Sequence, residues 1–568
     1  MRELIRRLSS RPGLTAQLLV AAFFSNLLAL APSLFVMQVL RRYLAFGVDA
    51  TLLTLAAGAV LAVLIESLFR RLRMRMAEGL TTHVDETLAL AGYDLLSTAR
   101  AGAVGMIPLE RQRAMVLGAD AIRSAYSAGN INTLLDLPFA LLFLWVLYLL
   151  SPLLAGIAAV ITLGIFLAGV LSGRLLRPAV ARAALAAPER DVLVRSLVEA
   201  GDTVRAFDAA PFLLERWREK LSGMYGLMRG IARRQAGVQS LTQLASAVMT
   251  VAIIGVGATL VLAGELDVGM LIGANILAGR ALGMVGRVAA LSEPFARAAQ
   301  ALRVYQEFSR LPTERQEGTA LAEYSGGLVL DDVAFTHPGM PAPLFESLHL
   351  RLEPGQVLVV SGGNGSGKTT LARLLTGLIE PGRGRVLVDG VDLRQVAAPW
   401  WRRQLVYLPQ EPGFVAGSIR DNLLLGRAPD KENRLDEVIG EVGLRSFVDR
   451  LPGGLDTPLA EGGRNLSLGV RRRLALARAL LVDGKLVVFD EPTEGMDAQG
   501  GESIYRLLNR LAEEGRTLVL FSHDPYLLRG ATWFLDLDHK PVPRLWNREQ
   551  IQRERERAGK SRQGGAKP

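Results

Sequence analysis

Six stretches of the chain are apolar for long enough to cross a bilayer as helices. Residues 14–39, LTAQLLVAAFFSNLLALAPSLFVMQV, carry no charge, and about 20 apolar residues suffice to span a hydrocarbon core ~30 Å thick. Further runs occupy about 51–69, 134–150, 153–171, 241–263 and 268–291. Only Ser151-Pro152 separates the third run from the fourth, and only GELD (264–267) the fifth from the sixth, so each pair is predicted to be a tight hairpin. A cleaved leader is not predicted for the first run, because Phe35, Val36 and Met37 continue it where a small-residue cleavage site would stand. A soluble bundle of buried helices would not require six nearly uncharged runs of this length.

Between these runs the pattern changes. Residues 70–133 and 172–240 are Arg-rich and helical in period, and RRLRMR (70–75) sits hard against a membrane end. The Lys/Arg bias places both connections, with the N-terminal MRELIRR, in the cytoplasm. Arg41 and Arg42 run against that rule, because the same topology puts them on the opposite side.

Past Pro312 the period changes again. Residues 1–312 form the predicted membrane domain, and the polar, Gly-containing stretch 313–327 reads as a linker. From 328 to 540 short β-branched runs alternate with helical ones: QVLVVSG (356–362), QLVYLP (404–409), KLVVFDE (485–491) and RTLVLFSH (516–523). Strands apolar on both faces belong to a largely parallel sheet in an α/β domain. The basic tail 541–568 is expected to be disordered.

Composition sharpens this division. Half of the 568 residues are hydrophobic while 21% are charged, with a mean hydropathy of +0.26, so the two kinds are segregated into blocks. The net charge of +10, from 65 Lys+Arg against 55 Asp+Glu, is assigned to membrane-flanking loops, and no nucleic-acid partner is expected. The absence of cysteine excludes disulfides, thiolate zinc sites and cysteine nucleophiles.

The soluble domain carries the chemistry. GGNGSGKT (Gly362, Gly363, Asn364, Gly365, Ser366, Gly367, Lys368, Thr369), followed by Thr370, fits G-x-x-x-x-G-K-[ST] between an apolar strand and a helix. Such a loop curls backbone N–H groups around phosphates, its lysine reaches the β- and γ-phosphates, and its hydroxyl serves Mg²⁺. LVVFDE then ends a strand with Asp490, placed to hold Mg²⁺, and Glu491, placed to polarise an attacking water. Alone, two such carboxylates would read as solvated; after a P-loop they do not. His523 closes LVLFSH, where it can contact a γ-phosphate, and its weight comes from that company.

At this point the chain resembles the ATP-binding cassette (ABC) family over nearly its whole length. YLPQEPGFVAGSIRDNLLLG (407–426) looks like the exporter Q-loop, whose glutamine, here Gln410, contacts Mg²⁺. LAEGGRNLSLGVRRRLALARALL (459–481) looks like the cross-talk loop with Glu461 and the signature motif, and EGMD (494–497) like the D-loop. Six spans ahead of a cassette give a half-transporter with the type I exporter fold: a six-helix all-α membrane domain followed by an α/β P-loop nucleotide-binding domain. The resemblance implies ATP and Mg²⁺, dimerisation with a second half-transporter, and coupling helices near 100–110 and 200–211. It also implies a multi-pass place in the bacterial inner membrane, surrounded by membrane lipid, with the cassette in the cytoplasm.

The membrane half is similar to type I secretion exporters through FFSNLLALAPSLFVMQVL (23–40), LLDLPFALLFLWVLYLL (134–150) and LIGANILAGRALGMVGRVAALSEPF (271–295). That implies polypeptide cargo, a membrane-fusion adaptor and an outer-membrane channel. Too little chain precedes Leu14 for a peptidase domain, as in the protease- or lipase-exporting branch. An exporter of small molecules or lipids, including the cysteine/glutathione type, is the alternative on the same scaffold. Arg280, near mid-membrane, lines the central cavity or pairs with an acidic group on another helix.

Two positions depart from the family. Leu466, Ser467 and Gly469 match its Leu-Ser-Gly-Gly-Gln signature, which completes the partner's ATP site, but Leu468 and Val470 replace a Gly and the Gln. Leucine disfavours any left-handed backbone that glycine would allow. His337 stands where the family stacks a tyrosine on adenine. A homodimer with two similar sites and a heterodimer with one weak site both fit this pattern.

Overall fold

A computed structural model of the protein describes residues 2–43, 49–319, 323–425, 429–496 and 498–550. The chain divides into two units: Met1–Ala99 with Val104–Leu311, and Arg100–Ala103 with Pro312–Pro568.

The first unit is all helix. Six helices or runs of helices are long and apolar enough to cross a membrane: Pro12–Tyr43, Asp49–Thr98, Ala128–Leu150, Pro152–Glu199, Ala210–Leu262 and Val268–Phe308. Their starts are local. Pro12 and Pro152 occupy first-turn positions, where a missing N–H costs nothing. Ser151 Oγ accepts from Leu154 N at 3.5 Å, and Asp267 Oδ1 accepts from Met270 N at 2.7 Å, each satisfying an orphan donor. Outward-facing Leu53, Leu61, Leu64 and Leu68 stay exposed on one helix, the pattern of a surface solvated by lipid rather than water.

Inside, small residues let helices meet. A Cβ on Gly169 would lie 2.6 Å from Ala289 Cβ, so the fourth and sixth spans cross there with no room for a side chain. Buried charge is paired. Arg7, fully buried, bonds Glu3 at 3.2 Å and Asp85 at 2.6 Å, with its guanidinium 5.0 Å from the Tyr126 ring. Arg73 donates to Asp136 at 2.6 Å, and Asn26 donates to the same carboxylate oxygen at 2.9 Å. Arg41 lies 3.6 Å from Asp267, so its charge is answered by the turn between the last two spans. A short helix, Gly201–Ala206, falls within 200–211, and another, Ala101–Gly105, begins in the second unit.

The second unit holds two main sheets. One is antiparallel, ordered β2-β1-β4-β5, from β1 (Leu328–Phe335), β2 (Phe345–Leu352), β4 (Arg383–Val388) and β5 (Val391–Asp392). The other is ordered β12-β11-β3-β10-β9-β6 and contains β3 (Val357–Ser361), β6 (Leu405–Leu408), β9 (Leu486–Asp490), β10 (Thr517–Phe521), β11 (Trp533–Asp536) and β12 (Arg544–Asn547). A two-residue pair, β7 (Gly417–Ser418) with β8 (Pro458–Leu459), closes a loop. The four apolar runs expected as parallel strands are β3, β6, β9 and β10. Every residue of β9 and β10 is buried, as a sheet covered on both faces requires.

Two expected boundaries differ from the structure. Arg544–Asn547, expected as disordered tail, forms β12 antiparallel to β11, with Trp546 stacked on Phe534 at 5.2 Å; residues 551–568 lie outside the described ones. In the expected linker, Tyr324 is buried edge-on against Trp401 at 5.2 Å, and Asp389 accepts from Ser325 N at 2.6 Å. Burying aromatic surface holds both segments to the domain.

Candidate functional site

Parallel order decides where the chemistry gathers. β3, β10 and β9 are adjacent, and the P-loop, His523 and the Asp490-Glu491 pair follow their carboxyl ends, the edge at which such sheets bind ligands. Gly363–Thr370, His337, Gln410, Glu491 and His523 are thereby brought around one cavity of about 540 Å³, with Gly362 and Asp490 just behind its wall.

The P-loop conformation requires its glycines. Gly367 has φ +110°, and a Cβ there would come within 2.8 Å of Leu344. The helix Lys368–Leu375 then starts directly under the cavity, aiming free N–H groups and positive potential into it. Lys368 Nζ bonds Gly362 O at 2.5 Å and His523 Nε2 at 2.8 Å, and lies 3.5 Å from Glu491. Because an ammonium only donates, Nε2 of His523 accepts and Nδ1 carries the proton toward Ser361 Oγ, 3.3 Å away. Glu491 has φ +50°, a strained conformation for a non-glycine residue and one that concentrates at functional sites; its N–H is fixed to Phe521 O at 2.8 Å.

The oxygen cluster beside it fits a small hard cation. Thr369 Oγ1 donates to Asp490 Oδ2 at 2.8 Å and lies 3.4 Å from Gln410 Oε1. Asp490 Oδ1 is buried without a hydrogen-bond partner, and burial raises the pKa of this carboxyl. A carboxylate, a hydroxyl and an amide oxygen are the donor set Mg²⁺ accepts, with water filling the remaining positions.

His337 is exposed at the rim, its Nε2 3.4 Å from Thr370 Oγ1 and its ring edge-on to Phe335 at 5.1 Å. The signature is not in this cavity. Ser467 Oγ accepts from Val470 N at 3.3 Å and caps the helix Leu468–Leu480, while Gly469 faces open space. Leu468 is the first residue of that helix, with no left-handed φ, so the signature backbone here does not need glycine's freedom, and leucine is a good helix former. Asp497 and the Glu461 side chain lie outside the described residues. Arg280, in the other unit, is half-buried and forms no ion pair among the described residues.

Three further residues shape the site. Glu494 lines the cavity and accepts from Arg472 at 2.7 Å, which holds its carboxyl below the ordinary range. Asp538 accepts from Gly363 N at 2.7 Å, and Lys540 donates to Ser366 O at 2.5 Å and to Leu344 O. The sequence signal for the last two is faint: alternating polar residues in DLDHK after an apolar strand.

Two family models match this chain. The model described as "ABC transporter" matches residues 345–494 and "ABC transporter transmembrane region" matches 113–283, together more than half of the chain. Among curated relatives, the toxin RTX-I translocation ATP-binding protein of Actinobacillus pleuropneumoniae is 28% identical over 516 residues, 89% of this chain and 71% of the relative. The exotoxin translocation ATP-binding protein of Pasteurella aerogenes is 28% identical over 530 residues, 91% and 72% of the two chains. A solved bacterial Atm1-family ABC exporter with ATP bound superposes with a TM-score of 0.81 at 20% identity, covering 97% of this chain and 99% of that one.

Proposed function

This chain belongs to the ATP-binding cassette transporter family as one half of an ATP-driven exporter, and from that premise we propose that its cargo is polypeptide and that it works as a homodimer. The observation carrying the cargo is the likeness, along 89–91% of this chain, to proteins named for toxin translocation. The homodimer rests on Leu468, whose helical backbone leaves Ser467 and Gly469 open to a second chain.

The site residues take these roles. P-loop amides and Lys368 bind the phosphates, and His337 stacks on adenine. Thr369, Gln410 and Asp490 would hold Mg²⁺, which would supply charge neutralisation to the phosphates. Glu491 accepts a proton from the water that attacks the γ-phosphorus, the bond to the bridging oxygen breaks, and ADP leaves with the electron pair. His523 donates from Nε2–H to a γ-phosphate oxygen once Lys368, which donates to that nitrogen in the empty site, has turned to the phosphates. Ser467 and Gly469 present a hydroxyl and helix-terminal N–H groups to the partner's nucleotide.

Mg-ATPase activity of the chain alone in lipid nanodiscs tests the dimer. Activity that Glu491→Gln lowers about 10²–10⁴-fold, with ATP binding retained, supports two working sites in a homodimer; background activity from folded, ATP-binding protein points to a second subunit. Stimulation by an unfolded polypeptide but not by glutathione or cysteine supports the cargo, and the reverse pattern supports the small-molecule exporter.

A further inference from the structure

A second cavity, of about 390 Å³, lies within the membrane unit between the fourth and sixth spans. Phe166, Val170 and Gly173 line one side of it, and Val285, Leu291 and Phe295 the other. Both walls leave the apolar runs here, which end near residues 171 and 291. At 1.5 Å per helical residue, Arg174 and Arg177, which also line the cavity, stand within ~10 Å of the hydrocarbon edge, in the headgroup layer. The cavity is thus apolar toward the membrane and cationic at its outer end.

The cationic end is unanswered. Arg174 and Arg177 are exposed and form no ion pair or hydrogen bond among the described residues. Residues 172–188 hold three arginines, Arg174, Arg177 and Arg182, and no Asp or Glu. Glu293, next in sequence to the lining residue Ser292, is taken by Arg297 at 2.5 Å. Arg234, from the fifth-span helix, donates to Leu175 O at 2.6 Å, bringing another guanidinium to the same level.

We propose that this cavity is a binding site for an anionic phospholipid, its phosphate on Arg174 and Arg177 and part of an acyl chain against Phe166, Val170 and Phe295. The volume is at the lower end of ordinary ligand pockets, ~300–1,000 Å³, so it houses a segment of one chain, not a whole lipid. Guanidinium forks match phosphate oxygens, and basic pockets between spans at the headgroup level select anionic headgroups. A free anion would use the arginines but not the apolar floor, and a zwitterionic lipid the floor but not the uncompensated charge. The proposal depends on the six-span membrane reading and not on the cargo, so its test involves no transport.

The test is native mass spectrometry of the full chain released from mixed micelles containing phosphatidylglycerol and phosphatidylcholine with the same acyl chains. Wild type is expected to retain phosphatidylglycerol about tenfold over phosphatidylcholine, and Arg174→Ala with Arg177→Ala to bring that ratio near one. Gly173→Leu fills the cavity; a Cβ there meets Ser292 Cβ at an ordinary 3.5 Å, and this variant is expected to lose the retained lipid while keeping both arginines. ATP binding by each variant checks folding independently. Equal retention of the two lipids by wild type overturns the proposal. So does a preference that survives both variants, or displacement of the lipid by inorganic phosphate or an acidic peptide alone.

Discussion

Two buried cation–carboxylate pairs, one in each unit, put the same kinds of group to opposite uses. In the membrane unit Arg73, 5% exposed, meets Asp136, 19% exposed, at 2.6 Å, and Asn26 closes on the same carboxylate oxygen. In the nucleotide-binding unit Lys368, 10% exposed, stands 3.5 Å from Glu491, 13% exposed, with His523 alongside and a cavity of about 540 Å³ in front. Burial is alike in the two places, and open volume is not. A carboxylate approached by two donors has little capacity left for a ligand, so that pair holds helices together. The looser group keeps donors and lone pairs that face a space where phosphate fits.

The largest expected effect tests the open pair. Lys368→Met removes a preorganised cation from the phosphates, and losing one such stabilising contact costs about 10²–10³ in kcat. Mg-ATPase should fall by at least that much while the thermal midpoint, followed by tryptophan fluorescence, stays close to wild type. A large drop in midpoint with activity retained would reverse the assignment and make Lys368 architectural.

Next comes the closed pair. Asp136→Leu strands Arg73 in the protein interior and removes an acceptor from Asn26. Breaking a buried pair from one side costs about 3–5 kcal/mol, whereas replacing both partners by apolar residues is often neutral. The single variant should therefore lose yield and unfold at lower temperature, and Arg73→Met with Asp136→Leu should recover most of the loss. Equal stability of single and double variants would mean that the pair contributes little to the fold.

Different parts of this contrast were legible in the sequence for different reasons. The open site announced itself because its residues are punctuation in one local pattern: a glycine loop after β3, Asp490-Glu491 after β9, His523 after β10. The apolar runs marked the strands, and the order β3-β10-β9 that unites their ends is set by long-range pairing that no single run encodes. Hydropathy located the six spans but not what joins them, because Arg73 and Asp136 are 63 residues apart and Arg7 and Asp85 are 78 apart. No local pattern encodes those pairs. β12 was missed since four residues, RLWN, are too short to show a period, and residue identity alone did not reveal that the signature helix begins at Leu468.

Lys540 is the intermediate case and carries the smallest expected effect. It is an exposed lysine whose ammonium sinks against two backbone carbonyls, Ser366 O and Leu344 O, rather than a carboxylate. Asp538 holds Gly363 N from the same strand end, so removing Lys540 half-frees the P-loop. At about 1 kcal/mol for a net hydrogen bond, Lys540→Met should raise the KM for ATP about fivefold and leave kcat nearly unchanged, with Lys540→Arg recovering part of the loss. Desolvation lowers the pKa of this ammonium below its ordinary 10.5, so between the folded value and 10.5 the unfolded chain binds more protons. Stability contributed by this group therefore rises with pH across that alkaline window and is constant below it. Wild type should gain on Lys540→Met in unfolding midpoint as pH is raised toward 10.5 and show no such drift near neutrality. A midpoint difference flat across the whole range would place the ammonium in water, away from the carbonyls, and leave Asp538 as the P-loop's contact to that strand end.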